Sequence, residues 1–219
     1  MVYRALRNTS ARFSFHKMKF IIGTKQGMTQ VFNAAGHAVP VTVIHAPKVT
    51  VTQVKNTETD GYKAVQVGYG EQKQSRIAKP QQPKGNVRGL REFRFDGAEA
   101  LEVGATFDVT AFSEGESVVV SGISKGKGFQ GVVKRYGFKG GPRTHGQKHS
   151  ERERGSSGGG PGRAGGRVVK GMRMAGRMGS DRVTVPNLEV IRVDGVKNEI
   201  FVRGAVPGRK GTVIEIRGK

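Results

Sequence analysis

At 219 residues the chain is long enough for one substantial hydrophobic core, or for a core with an appendage. It contains no cysteine, which excludes disulfides, thiolate metal sites and a cysteine nucleophile. No apolar run exceeds three residues, far short of a membrane-spanning helix. The formal net charge of +21 is divided unevenly: residues 1–17 hold four basic groups and no acid, and residues 122–182 hold fifteen Lys and Arg against three acids. The rest has the balance of an ordinary globular body.

Residues 1–17, Arg-bearing, rich in hydroxyls and free of acid, have the composition of a mitochondrial transit peptide. The plainer reading is a folded unit beginning at Met18, preceded by a basic tail or by residues from an upstream start-codon choice, and sequence leaves these alternatives open. From there the pattern is short strands with period-two alternation, separated by turn residues. Strands are expected at 19–22 and 28–32, then a turn at 33–36. A strand at 39–45 carries Pro40 near its start, and another follows at 50–55. Asp60-Gly61 predicts a tight hairpin turn with both central residues at positive φ, leading into a strand at 62–69. Between 72 and 115 the signal weakens. Residues 79–85 read as a loop, 91–95 and 106–109 as strands, and 97–102 as a single helical turn, together forming a small subdomain packed on the body. A strand at 117–121 precedes the basic segment. Strands at 183–185, 188–193, 199–202 and 212–216 follow it, with a turn at Asp194-Gly195. No dozen-residue window shows an apolar stripe at helical spacing. The fold class is therefore mainly β, with strand spacing that suits a small closed barrel or sandwich.

The segment 122–182 differs in kind. It holds eighteen glycines and almost no residues for a core, too little apolar surface to offset the entropy of ordering it. If the segment has one structure, a polyanion must impose it. Its charge is clustered and interleaved with Phe129, Tyr136 and Phe138, the footprint of a nucleic-acid-binding arm rather than of a solvated charge run. Lys and Arg would neutralise phosphates and release counterions, and glycine would let the backbone approach closely. The aromatic rings offer faces for unpaired bases, which suits irregular RNA better than a regular duplex. The candidate RNA-binding residues are Lys125, Lys127, Phe129, Lys134, Arg135, Tyr136, Lys139, Arg143, His145, Lys148, His149, Arg152, Arg154, Arg163, Arg167, Lys170, Arg173 and Arg177.

Two enzyme-like signals are set aside. Gly126-Lys-Gly128-Phe-Gln-Gly131 matches the dinucleotide fingerprint, but only residues 132–136 remain for a helix before Gly137, too few for the crossover of a βαβ unit. His145 and His149 have the spacing of a zinc pair on a helix. They sit among Lys, Arg and Gly with no cysteine, and Glu151 and Glu153 have Arg152 and Arg154 as immediate neighbours to neutralise them. No catalytic, metal or cofactor residues are assigned, and no small-molecule substrate or membrane is expected as a partner.

Several stretches resemble the universal large-subunit ribosomal protein three family in its bacterial form. They include Gly23-Thr-Lys-Gln-Gly-Met-Thr29, Asp60-Gly-Tyr-Lys-Ala-Val-Gln-Val67, Ser124-Lys-Gly-Lys-Gly-Phe-Gln-Gly131 and the run from Val168 through Gly-Met-Arg-Met-Ala-Gly-Arg-Met to Gly179. The matches run collinearly from about Lys19 to the C-terminus. The resemblance implies a β-barrel of the translation-protein type over 18–121 and 183–219, with the 72–115 subdomain within it, and an extended glycine-rich arm at 122–182. It also implies a non-enzymatic structural constituent of the large ribosomal subunit that binds 23S rRNA near its 3′ end, beside neighbouring ribosomal proteins. The family nucleates subunit assembly and extends the arm towards the peptidyl-transferase centre. The location implied is the ribosome of the cytoplasm, or of the mitochondrion if residues 1–17 are a transit peptide. A non-ribosomal RNA-binding or RNA-chaperone protein is the alternative. Two departures stand out: residues 155–163 lack the glutamine that family members methylate, so that modification is not implied, and Tyr136 stands where tryptophan is common.

Overall fold

The computed structural model describes residues 19–33, 35–94, 101–158 and 168–219. Residues 1–17, and the part of the expected helical turn at 97–100, lie outside them. In chain order the elements are β1 (Phe20–Phe32), β2 (Ala38–His45), β3 (Val49–Lys55), α1 (Thr57–Asp60), β4 (Ala64–Glu71), β5 (Val87–Arg94) and β6 (Thr106–Phe107). They continue with β7 (Ser117–Ile123), β8 (Gly128–Gln130), α2 (Val132–Tyr136), β9 (Gly176–Met178), β10 (Arg182–Asp194), β11 (Glu199–Arg203) and β12 (Val213–Gly218).

Six strands close into a barrel in the order β1-β12-β7-β10-β11-β2, every neighbour antiparallel. Alternation decides which side chains fill it. On β12, Ile214 and Ile216 are fully buried while Glu215 and Arg217 face outward. Ile44, Val118, Val120, Val190, Ile200 and Val202 complete this interior. The buried hydroxyl of Thr42 donates to the carbonyl of Gly204 at 2.6 Å, so no polar group is left orphaned there.

A second sheet, ordered β5-β4-β3-β6, covers part of the barrel's outer wall. It draws on β3 and β4 as well as on the 72–115 stretch read as a subdomain. The run Phe20-Ile21-Ile22 explains the docking. Ile21 pairs with Ile216 in the barrel interior, whereas Phe20 points outward, stacked on Phe93 of β5 at 4.7 Å and tilted against Phe107 of β6 at 4.4 Å. All three residues are at most 1% exposed because this end of β1 is covered on both faces.

The structure corrects the local reading at several points. The runs at 19–22 and 28–32 are one strand, β1, whose register slips between Lys25 and Gly27. Those at 183–185 and 188–193 are likewise one strand, β10. Its register slips between Val185 and Leu188, where Pro186 has no N–H to donate and Asn187 adopts a φ of 58°. Asp60-Gly61 does not make a two-residue hairpin. Residues Thr57–Asp60 form one helical turn, closed by Gly61 alone at a φ of 78°, whose N–H donates to the carbonyl of Thr57. The loop read at 79–85 holds a 3-10 turn at Lys79–Lys84, and the strand read at 106–109 stops at Phe107, where Asp108 caps a 3-10 turn at Val109–Ala111. These short helices escape periodicity because none buries a stripe.

Candidate nucleic-acid interface

The basic segment leaves and re-enters the barrel at one point. β7 continues through Ile123, which pairs with Arg182 at the start of β10. The amide of Ser124 donates to the carbonyl of Asp181 at 2.9 Å, and the amide of Asp181 donates to Oγ of Ser124 at 3.2 Å. The amide of Lys127 then donates to the carbonyl of Met178, and β8 pairs with β9, setting Phe129 directly across from Arg177. Backbone hydrogen bonds therefore build a two-stranded stalk, where side-chain periodicity predicts nothing. Gly126–Gly131 forms part of that stalk, and no parallel β-strand adjoins it among the described residues.

Beyond the stalk, α2 spans the five residues that the sequence left for it, ending at Gly137. Val132 is its one buried side chain. Arg135 reaches back to donate to the carbonyl of Met174 at 2.8 Å, which fastens the helix to the returning strand. Its guanidinium lies 5.0 Å from the ring centroid of Tyr136, and that of Arg173 lies at 5.9 Å. Phe138 is tilted against the same ring at 6.3 Å. Arg135, Tyr136 and Phe138 thus join the distant Arg173 in one aromatic and cationic knuckle with half-exposed faces.

The chain then folds over itself. The amide of Gly141 donates to the carbonyl of Glu151 at 2.8 Å, and a Cβ on Gly140 would collide with that same oxygen, at a φ of 78°. Glu151 pairs with Arg143, whose Nε lies 3.5 Å from its carboxylate, rather than with its sequence neighbour Arg152. Arg154 bonds Oγ of Ser157 at 3.0 Å rather than Glu153. His145 holds a φ of 61°, and it and His149 are exposed. No group of three or more His, Asp or Glu that could hold a metal occurs among the described residues.

Lys125, Lys127, Lys134, Lys139, Lys148, Arg152 and Lys170 are exposed one by one along this path and share no carboxylate. Arg163 and Arg167 lie outside the described residues. At the root, Lys25 of β1 donates to the carbonyls of Val206 at 2.8 Å and Gly208 at 3.2 Å, holding the loop that carries the exposed Arg209 and Lys210. Burial, then repulsion from Lys125, pushes the ammonium of Lys25 below the usual lysine range. Sequence reading missed Lys25, and it missed Arg91 on the second sheet and Arg182 and Arg217 on the barrel. Lys25 and Arg217 are single cations in their strands, and only folding shows which charges converge.

Comparison with known proteins bears on most of the chain. The model of a family described as Ribosomal protein L3 matches residues 63–200. The large ribosomal subunit protein uL3 of Thioalkalivibrio sulfidiphilus is 48% identical over 205 residues, covering 90% of this chain and 95% of that protein. The protein of the same name from Desulfitobacterium hafniense is 47% identical over 207 residues, covering 91% and 95%. That from Photobacterium profundum is 47% identical over 197 residues, covering 87% and 93%.

Proposed function

Because the chain belongs to the ribosomal protein L3 family, and so is a non-enzymatic structural component of the large ribosomal subunit, we propose that it binds 23S rRNA directly near the 3′ end. Its partners in the subunit are rRNA and neighbouring ribosomal proteins, and the bacterial type of its relatives carries with it a ribosomal, cytoplasmic location. The segment between β7 and β10 is the rRNA-binding arm, extending towards the peptidyl-transferase centre, and the protein nucleates early assembly of the subunit.

One observation supports this most directly. Among the described residues the segment's cations are mostly exposed and mostly unpaired with its own carboxylates, while its backbone is cross-braced by β8 with β9 and by Arg135 on Met174. Such an element presents charge without neutralising it, as phosphate binding requires. The knuckle at Tyr136 adds an exposed face on which a base can stack.

Hydroxyl-radical footprinting of deproteinised 23S rRNA with the full chain tests the reading. A discrete protected region near the 3′ end is expected, together with co-sedimentation with large subunits. Diffuse protection with no preferred segment would instead favour a non-ribosomal RNA chaperone.

A further inference from the structure

The barrel's outward face beside the arm is not apolar where the second sheet stops covering it. Antiparallel register aligns Glu215 of β12 with Ser121 of β7, and Ser121 with Thr184 of β10, in one outward row. The hydroxyls of Ser121 and Thr184 lie 2.8 Å apart. Arg217 follows along β12, Arg182 opens β10, and Arg91 enters from β5 opposite. Between them lie two adjoining hollows of about 310 and 430 Å³ that share Glu92, Arg182 and Glu215.

The charges in this cleft do not cancel. Glu215, only 16% exposed, forms an ion pair with Arg91, whose Nε lies 3.3 Å away, and accepts a hydrogen bond from Nη2 of Arg182. The other carboxylate, Glu92, is engaged from behind by Lys55 at 2.8 Å and by the hydroxyl of Tyr62 at 2.9 Å. Four guanidiniums, those of Arg91, Arg94, Arg182 and Arg217, against one remaining carboxylate leave a surplus of three positive charges. Each Arg that touches Glu215 does so through a single nitrogen, leaving further N–H donors for another acceptor.

We propose that this cleft seats a phosphodiester stretch of RNA, continuous with the strand that the arm engages. Continuity selects the ligand: Arg182 pairs with Ile123 at the point where the arm departs, so RNA leaving the arm's root meets the cleft next. Guanidiniums bind the phosphate oxygens, and the Ser121–Thr184 hydroxyl pair lies beside a ribose or a non-bridging oxygen. Glu215 orients Arg91 and Arg182 and ties the second sheet to the barrel. This inference rests on the reading that the chain binds rRNA.

The test compares the full chain with its Arg182→Ala/Arg217→Ala variant on 23S rRNA. Both side chains are exposed, and thermal unfolding checks that the barrel is intact. The log–log salt dependence of affinity should lose about 1.4–1.8, the value for two phosphate contacts at 0.7–0.9 each. One short footprint should vanish while the arm's remain, and Arg182→Lys/Arg217→Lys should restore the slope. An unchanged slope and footprint would overturn the proposal. So would an unchanged footprint with loss of a crosslink from this cleft to an acidic segment of a neighbouring protein in assembled subunits. If the unsubstituted chain protects no RNA at all, the rRNA reading itself fails.

Discussion

In the barrel, Ile21, Ile44, Ile200 and Ile214 are completely buried, whereas between β7 and β10 the ring of Phe129 is 77% exposed and the side chain of Arg143 85%. Among the described residues of 124–181 only Val132 is buried. The barrel carries its own driving force, apolar area removed from water on each strand. The basic segment has backbone pairing and local braces but no second layer of side chains. Order and charge are therefore assigned to different parts of one chain. The barrel supplies a rigid root, and the segment supplies contacts whose energy is realised only against a polyanion.

Removing residues 124–181 tests that division most severely. Ser124 and Asp181 already touch, so a short Gly-Ser link can replace the segment without strain. The shortened protein should retain a cooperative melt. RNA affinity should fall by orders of magnitude, and each lost phosphate contact should take roughly 0.7–0.9 from the salt slope. A slope as steep as before would move the electrostatics to the barrel surface.

Core substitution sharpens the contrast from the other side. Ile216→Ala should cost about 2–5 kcal/mol in denaturant unfolding, since the closed barrel cannot collapse onto the cavity. Lys127→Ala, at an exposed side chain, should change stability by no more than about 0.5 kcal/mol. Comparable losses from both would mean that the segment is part of the cooperative fold.

Tyr136→Ala separates attraction from positioning within the segment. Base stacking is worth about 1–3 kcal/mol per ring, so incorporation into subunits should survive while chemical reactivity of adjacent RNA bases changes. Unaltered reactivity in assembled subunits would leave Tyr136 as packing for Arg135 and Arg173.

The smallest effect is expected in acid. The hydrogen bond from Lys55, with a weaker one from Tyr62, holds the Glu92 carboxyl below its ordinary value of 4.5. Its stabilising contribution to the second sheet is present above that value and is lost as pH falls through the lowered one. Lys55→Met should move the Glu92 titration upward, followed by carboxyl resonances, and start acid loosening of the sheet at higher pH. An unshifted titration would show that Lys55 does not hold the carboxylate.

Strand positions were legible because inward and outward residues alternate in β11 and β12, and because Phe20-Ile21-Ile22 has a strand composition, whose burial on both faces only the structure shows. Local pattern could not show that β1 and β10 each run through a bulge as single strands, since the slipped register interrupts the alternation. The basic segment's cations were plain from composition. Their convergence was not: Arg135 and Arg173 meet at Tyr136, and Arg143 finds Glu151, only once the chain turns back on itself.

Composition and alternation alone determined a β-rich body and a segment that cannot bury itself, because both follow from how much apolar surface each stretch carries. Tertiary structure decided which strands close the barrel and which cover it, and how the segment's two ends are stapled into a stalk. It also gathered Arg91, Arg182 and Arg217 around Glu215. Those outcomes depend on cross-strand register within each sheet and on the packing of one sheet against the other, which alone brings Arg91 to Glu215, and neither exists before the strands are paired.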